Sequence, residues 1–391
     1  MSKLQELINK LCPNGVEFKP LGEVCEIKRG VRVVKQELEE FGDIPVFQNS
    51  LKPLGYYKLS NFKGFTSFVI GAGAAGEIGF SEKPFWAADD CFVIISNYLN
   101  DKYIFYCLQN NQLHLKRQVR KASIPRLSRV SIEKFMIPVP PIEVQEEIVR
   151  ILDSFSDYAA ELQAELQARK QQYEYYRNLL LTFNPSAYGC GTDDEQKDGV
   201  TTWGGHNYKI QWKKLGEICD NMDKLRKPVT ASTRISGIYP YYGASGVVDY
   251  VNNYIFDGSY LLISEDGANL LARSTPIAFS IYGKTWVNNH AHVLHFNSDV
   301  TRKFVEYFIN NLDISKYVSG GAQPKLNQKK LNSIPIPIPP LELQEKIVAI
   351  LDRFETLVND LTNGLPAEIA AVKDQYEYYR NKLLTFKKLS A

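Results

Sequence analysis

The chain contains the same sequence blocks twice, in the same order, and this repeat limits what it can fold into. The matched blocks are LGEVC at 21–25 with LGEIC at 215–219, IPVPP at 137–141 with IPIPP at 336–340, and QYEYYRN at 172–178 with an unaltered copy at 375–381. Internal repeats of this kind indicate one structural unit used twice. A chain of 391 residues has room for two such units.

The stretch that follows each proline block has a helical pattern. Apolar residues recur at alternating steps of three and four, as at Ile151, Phe155, Tyr158 and Leu162, which is the seam of a coiled coil. About 42 residues of helix would be ~63 Å long, too long for a lone core helix. The pattern therefore predicts a helix–helix pair.

The second of these stretches carries an insertion. Gly364 and Pro366 lie inside it, and proline cannot continue an α-helix from within. We therefore expect the second helix to kink or restart at this point.

The repeat predicts two tandem domains and two long helices, with pseudo-twofold symmetry. The expected segments are a first domain at 1–141 that includes an N-terminal helix, a first long helix at 142–183, a linker at 184–206, a second domain at 207–340 and a second long helix at 341–391. The middle parts of the two domains, 26–120 and 220–318, share little sequence. Matched ends with divergent middles suit two modules of one fold that bind different ligands.

The net charge of +2 hides a segregation of charge. Residues 20–135 hold 16 basic and 12 acidic side chains, and residues 213–335 hold 14 and 10. The long helices hold 4 basic and 8 acidic side chains (142–183) and 5 and 8 (341–386). Basic bodies attract polyanions, and phosphate contacts supply most non-specific affinity for nucleic acid. A solvated surface is the alternative interpretation of such patches.

Candidate DNA-binding side chains are of two kinds. The basic candidates are Arg117, Arg120, Lys121, Arg126 and Arg129 in the first body and Lys224, Arg226, Lys227 and Lys325 in the second. The second body adds candidates that can pair with base edges or stack, namely Tyr242, Asn269, Asn288 and His290. Turn and strand-end chemistry is the alternative for any one of these residues.

Several motifs that resemble catalytic sites lack the required context. Residues 71–76 fit GxGxxG, but a poor helix-former follows them, so a glycine-rich turn is favoured over a dinucleotide site. Residues 278–285 fit a loose P-loop pattern without its first glycine. His290, His292 and His295 lack a convergent third metal ligand, and the Pro-Pro pairs lack the flanking residues of an amino-methyltransferase loop. We therefore expect no catalytic site and no metal site.

Two further features concern the cellular setting. The six cysteines are scattered and form no CxxC pair, which suits reduced thiols in the cytoplasm. No apolar run approaches the ~20 residues that a bilayer requires, so we expect no membrane association.

Together these blocks resemble the specificity subunit of type I restriction–modification systems over nearly the whole chain. The resemblance is carried by LCPNGVEFKPLGEVCEI at 11–27, by IPVPPIEVQEEIVRILD and IPIPPLELQEKIVAILD, and by the two QYEYYRN segments. YPYYGASGVVDY at 239–250, SEDGANLLARSTPIA at 264–278 and SGGAQPKLNQKKL at 319–331 look like the family's second recognition domain. The AEL repeats at 160–166 are similar to those of the spacer helix in some members.

The resemblance implies a non-catalytic α+β chain, in which two tandem α/β-type target recognition domains are separated by two long helices that form an antiparallel coiled coil. Each domain would bind one half of a split, asymmetric sequence in double-stranded DNA. Two methyltransferase subunits would dock on the helical regions, and motor–nuclease subunits would complete the complex. S-adenosylmethionine, ATP and magnesium would bind to those partners, so the chain itself is expected to hold no cofactor.

Two other functions are weighed against this one. A self-contained methyltransferase or nuclease would need a catalytic motif that the sequence lacks. A sequence-blind coiled-coil adaptor that binds DNA would need only the basic bodies and the helices. Salt-sensitive DNA binding without sequence preference would favour the adaptor.

Overall fold

The computed structural model describes residues 3–183, 199–203, 205–320 and 323–389. The chain forms two compact units, one from residues 1–164 with 367–391 and the other from residues 165–366. Each unit thus combines one body with part of its own long helix and part of the helix that follows the other body. Residues 184–198 and 204 of the expected linker lie outside the described residues.

In both bodies most strands follow one another along the chain, and helices and one last strand then precede the long helix. The first body and its long helix comprise α1 (Lys3–Leu11), β1 (Phe18–Pro20), α2 (Leu21–Val24), β2 (Glu26–Arg29), β3 (Ile44–Phe47), β4 (Gly55–Tyr57), β5 (Thr66–Ile70), β6 (Ile78–Ser81), β7 (Trp86–Ala87), β8 (Cys91–Ile95), α3 (Asp101–Asn110), α4 (Gln112–Arg117), α5 (Arg129–Glu133), β9 (Met136–Pro138) and α6 (Ile142–Leu181). The second body and its helices comprise β10 (Gly199–Trp203), β11 (His206–Lys214), α7 (Leu215–Ile218), β12 (Asp220–Asn221), β13 (Ser236–Gly243), β14 (Gly246–Val251), β15 (Phe256–Ser264), α8 (Asn269–Ala272), β16 (Ala278–Val287), β17 (Ala291–His295), α9 (Asp299–Asn311), α10 (Gln328–Asn332), β18 (Pro335–Ile338), α11 (Leu341–Asn359) and α12 (Leu365–Leu383).

The two bodies have the same strand order, although one of them splits its sheet. In the second body a six-stranded sheet runs β12-β17-β15-β16-β13-β14. In the first body the corresponding strands form two sheets, β2-β8-β5-β6 and β4-β3-β7. The single ten-residue strand β16 occupies the position that β6 and β7 share in the first body. Pro84 lies between β6 and β7 and has no N–H to donate, which accounts for the interruption.

In each body, a strand near the start pairs with the last strand, next to the point where the long helix begins. Strand β1 pairs with β9, and β11 pairs with β18, so the start of each body is antiparallel to the segment before the helix. Helices α6 and α11 then begin directly after Pro141 and Pro340. Strand β10, inside the segment assigned to the linker, extends the second of these sheets through β11.

The long-helix segments pack against each other within each unit. In unit one, Phe155 stacks on Tyr379 with ring centroids 5.4 Å apart, and the Tyr158 hydroxyl donates to Glu368. Positions rise along α6 as they fall along α12, so this pairing is antiparallel. In unit two, α6 and α11 pack through Tyr176 and Phe354, whose centroids are 5.7 Å apart. These contacts confirm the helix–helix pair and the tandem α+β architecture.

The interruption predicted in the second long helix is present. Helix α11 ends at Asn359 and α12 begins at Leu365, directly after Gly364. Pro366 occupies the first turn of the new helix, where a missing N–H costs no hydrogen bond. Helix α6, by contrast, is continuous over 40 residues.

Candidate nucleic-acid interface

A matched loop in each body brings a basic residue to the surface. Loop one runs from Arg120 to Arg126, and loop two runs from Ser319 to Lys325. In loop one the two end residues exchange backbone hydrogen bonds of 2.8 and 3.2 Å, and in loop two the same bonds measure 2.8 and 2.7 Å. Residues 321 and 322 of loop two lie outside the described residues. The two loops therefore share one closure.

Both loops rest on a glycine turn in the same way. The N–H of Gly73 donates to the carbonyl of Pro125, and the N–H of Gly267 donates to the carbonyl of Pro324, each at 3.1 Å. Both glycines have positive φ, +82° and +109°. An L side chain would be strained there, so the turn requires glycine.

A buried leucine anchors each loop on its inner side. Leu127 and Leu326 are buried, with 3% and 0% of their surface exposed. Their N–H groups donate to the carbonyls of Gly71 and Glu265, each at 2.8 Å. The backbone structure of the site is thus the same in both bodies, whereas the exposed side chains around it differ.

In the first body, loop one borders a cleft of about 480 Å³. Its charged and polar lining consists of Arg29, Asp89, Asp90, Gln118, Arg120, Arg126 and Ser128. Arg29 is fixed by a hydrogen bond of 2.6 Å from its Nε to the carbonyl of Asp89. Three arginines and two aspartates leave the cleft with excess positive charge.

The predicted basic candidates of the first body all lie at the surface. Arg117, Arg120, Lys121 and Arg126 are exposed and, among the described residues, have no carboxylate within 4.0 Å. Arg129 is also exposed, but it forms an ion pair of 2.7 Å with Glu133 on α5. Four cations are thus available for an anionic ligand.

In the second body two of the basic candidates, Arg226 and Lys325, are engaged by carboxylates. Arg226 lies 2.6 Å from Glu265 and 3.4 Å from Asp223, and it also donates to the carbonyl of Ala291 at 2.7 Å. Lys325 in loop two lies 3.1 Å from the other oxygen of Glu265. The structure therefore brings Arg226 and Lys325 together through one carboxylate.

A buried histidine extends this network beneath loop two. His292 is 1% exposed, with Nδ1 2.6 Å from Asp223 and Nε2 2.7 Å from the carbonyl of Leu326. Both ring nitrogens thus lie within hydrogen-bond distance of an oxygen atom. The network thus links the strand β17 to the loop backbone.

The two buried carboxylates of the network are stabilised in their ionised form. Burial opposes ionisation of Asp223, but hydrogen bonds from His292 and the backbone of Val293 outweigh it and lower its pKa. Burial likewise opposes ionisation of Glu265, whereas Arg226, His292 and Lys325 lower its pKa. Both shifts follow from neighbouring donors and positive charge.

The remaining candidates of the second body occupy varied positions. Asn269 closes its own turn, with its side chain bonded to the backbone of Thr275 at 3.0 and 3.1 Å. Asn288 is buried and accepts from the N–H of His290, while Tyr242 is half-buried. Lys224 and Lys227 are exposed, and the carbonyl of Lys227 accepts from Trp286. His290 is exposed and lies 2.9 Å from Asp266. Their roles in DNA binding remain predictions.

The motifs with superficial catalytic resemblance have structural roles. Residues 71–76 form a turn that leads into β6, and residues 278–285 belong to β16. His290 lies in the turn before β17, whereas His292 lies within that strand. Over the ranges that the structure describes, no cluster of His, Cys, Asp or Glu could hold a metal ion.

Sequence reasoning missed Arg29 and the acidic residues of the site. Arg29, Asp89 and Asp90 in the first body, and Glu265 and Asp266 in the second, were not among the candidates. The sequence does contain a signal for Glu265. The offset of 194 residues that aligns LGEVC with LGEIC also aligns Gly71 with Glu265, so the two bodies differ in charge at this position.

Within the described part of the chain, no helix is long and apolar enough to span a membrane. The comparison with known families gives a match to the Type I restriction modification DNA specificity domain over residues 13–169 and 208–371.

Similar proteins and solved structures come from several bacteria. A putative type I restriction enzyme specificity subunit of Haemophilus influenzae is 39% identical over 186 residues, 46% of this chain and 48% of that protein, so the match spans about half of that relative. A type I restriction enzyme specificity subunit of Escherichia coli is 32% identical over 312 residues, 73% of this chain and 71% of the relative. The crystal structure of an S subunit from M. genitalium, 17% identical, has the same fold with a TM-score of 0.62 and covers 95% of this chain and 96% of its own.

The two family matches fall on the two bodies and extend into the helices that follow them, as the internal repeat requires. They favour the specificity function over the sequence-blind adaptor. The chain belongs to the family of type I restriction–modification DNA specificity proteins.

Proposed function

We propose that this chain is a non-catalytic DNA specificity subunit, in which each body reads one half of a split target. One observation supports the proposal above all others. Loops one and two share a backbone closure and a glycine turn but carry different side chains around them. One scaffold with two different rims suits two half-sites of different sequence.

Contacts to DNA would be divided between the phosphate backbone and the base edges. The free cations near loop one, Arg117, Arg120, Lys121 and Arg126, suit phosphate contacts or paired hydrogen bonds to guanine. In the second body, exposed His290 and Lys325 lie beside loop two. Phosphate contacts would set affinity, and base contacts would set the sequence.

The helices would carry the protein partners. The repeated QYEYYRN segment leaves Tyr175 and Tyr378, which occupy matched positions in the two copies, 63% and 60% exposed. An identical exposed segment in both copies suits two identical partners, so we assign it to two methyltransferase subunits. Motor–nuclease subunits would join them in the cytoplasm, and S-adenosylmethionine, ATP and magnesium would bind to these partners.

The long helices would also set the distance between the half-sites. Helix α6 is continuous through residues 160–166, where the AEL repeats lie. Deletion of residues 163–166 removes about one helical turn, ~6 Å, which is nearly two base pairs at ~3.4 Å each. We expect a shorter spacer, and an unchanged spacer would refute this role.

The experiment is a methylation map. The chain is co-expressed with the methyltransferase subunit encoded beside it, in a host without adenine methylation, and N6-methyladenine is located by single-molecule sequencing. One split motif with two defined halves is expected. A soluble complex that binds DNA but methylates no motif would support the sequence-blind adaptor instead.

A further inference from the structure

The matched loops differ in whether their basic residue already has an anionic partner. Arg126 in loop one corresponds to Lys325 in loop two, because both follow the proline that bonds to the glycine turn. Among the described residues, no carboxylate lies within 4.0 Å of Arg126, whereas Lys325 has Glu265 at 3.1 Å. The difference lies in the neighbour, since both side chains are exposed.

Two neighbouring positions beneath the loop differ together between the two bodies. The position of Glu265 is occupied in the first body by Gly71, and the position of His292 is occupied by Phe92. A Cβ at Gly71 would lie 2.5 Å from the ring of Phe92, so the first body has no room for a carboxylate there. The second body instead has a smaller ring and an acid.

Glu265 is held in place from the inner side. Its side chain is 13% exposed and lies 2.6 Å from Arg226, which is itself 13% exposed. Its other oxygen points to Lys325, which is 53% exposed. The carboxylate is therefore held by the body, and Lys325 is the more exposed partner.

We propose that Arg120 and Arg126 of loop one hold a backbone phosphate of bound DNA, while in loop two the carboxylate of Glu265 takes the place of that phosphate on Lys325. This inference rests on the proposed function. At the matched loops the two half-sites are then bound unequally, because loop one supplies a phosphate contact that loop two lacks. Other exposed cations of the second body, such as Lys224 and Lys227, remain available to phosphates.

The physical reason is counterion release. A free cation that neutralises a phosphate releases a counterion from DNA, which adds about 0.9 to the salt slope of binding. A cation that is already neutralised by a carboxylate must exchange one anion for another and adds little. Between 50 and 200 mM salt, one such contact changes affinity by about 3.5-fold.

The cleft beside loop one also contains Asp89 and Asp90. They do not neutralise the loop, since neither lies within 4.0 Å of Arg120 or Arg126. Arg29 also lines the cleft and donates to the backbone of Asp89. The loop cations thus remain available to a phosphate.

The test uses the full chain in complex with its methyltransferase subunit and a pool of 30-base-pair duplexes of random sequence. The slope of log affinity against log salt is measured between 50 and 200 mM sodium chloride. The double variant Arg120→Gln with Arg126→Gln should lower the slope by about 0.9, because it removes both cations from the one phosphate, whereas Lys325→Gln should leave the slope unchanged. Equal losses for the two variants would overturn the proposal.

A second pair of variants tests the carboxylate itself. Glu265→Gln should free Lys325 and raise the slope by about 0.9, and the double variant with Lys325→Gln should return to the wild-type slope. Lys116→Gln is the matched control, because Lys116 is exposed and paired with Glu77 at 2.9 Å. A thermal unfolding curve checks that Glu265→Gln is folded.

The outcomes separate this inference from the proposed function. An unchanged slope for Glu265→Gln, with a split methylation motif intact, overturns the inference alone. A complex that binds no DNA at any salt concentration overturns both.

Discussion

Both bodies support a matched loop on a glycine turn, but the basic residues of the two loops differ in whether a carboxylate lies nearby. In the first body a glycine and Phe92 leave the cations of loop one without a carboxylate within 4.0 Å, as judged over the residues described. In the second body Glu265 and His292 join Arg226 and Lys325 in a network. A few glycine, proline and leucine positions thus determine the backbone of this site, whereas the charged side chains around it differ between the two bodies.

The largest expected effect concerns the buried leucine that anchors the matched loop in each body. Leu127→Ala and Leu326→Ala each remove a buried anchor, and each should lower the free energy of unfolding by about 2–5 kcal/mol. The measurement is urea denaturation of the two variants beside the wild type. A loss below about 1 kcal/mol in either body would show that its loop is not anchored as described.

The next effect belongs to the second body alone. Asp223→Asn weakens the bond to buried His292 and should lower the free energy of unfolding by about 1–3 kcal/mol at pH 7. The pKa of Asp223 is lowered in the folded protein, so its contribution is present above the ordinary value of 3.8 and is lost as pH falls below it. The difference between variant and wild type should therefore shrink from pH 5 to pH 3.

The control for this pH dependence is Asp220→Asn. Asp220 is 76% exposed and lies 3.7 Å from His295, so its removal should change stability by less than about 0.5 kcal/mol. Urea midpoints at pH 7, 5 and 3 supply the comparison. A constant difference between Asp223→Asn and wild type at all three values would contradict the ion-pair interpretation.

The smallest effect concerns a matched helix in each body. Asn100 caps α3 by accepting from two backbone N–H groups at 2.9 and 3.0 Å, whereas Ser298 caps α9 by accepting one at 3.3 Å. Asn100→Ala should cost about 1 kcal/mol and Ser298→Ala about 0.5 kcal/mol. Asn100→Asp, which keeps the acceptor, should cost less than Asn100→Ala. The reverse order between the two alanine variants would contradict the cap geometry.

Much of the fold follows from local sequence signals. The heptad seam predicts the helix pairing, and Gly364 with Pro366 predicts the restart of the second helix. The repeat predicts that both bodies share one fold, and both have the same strand order. These features depend on residues that are close in the sequence or matched between the copies.

The charge arrangement of the site could not be predicted in the same way. Arg226 was chosen as a free cation, but its carboxylate partner Glu265 lies 39 residues away and meets it only in the folded sheet. Asn269 was chosen for base contact, and its amide closes a turn. Single-residue chemistry therefore identifies the region of the site without identifying which side chains are already engaged.

The proposed function requires that each body reads one half of the target independently. The direct test exchanges residues 26–135 for the matching body of a related chain and maps N6-methyladenine again in the same co-expression host. We expect a motif in which one half changes while the other half and the spacer stay the same. Changes in both halves, or in neither, would contradict it.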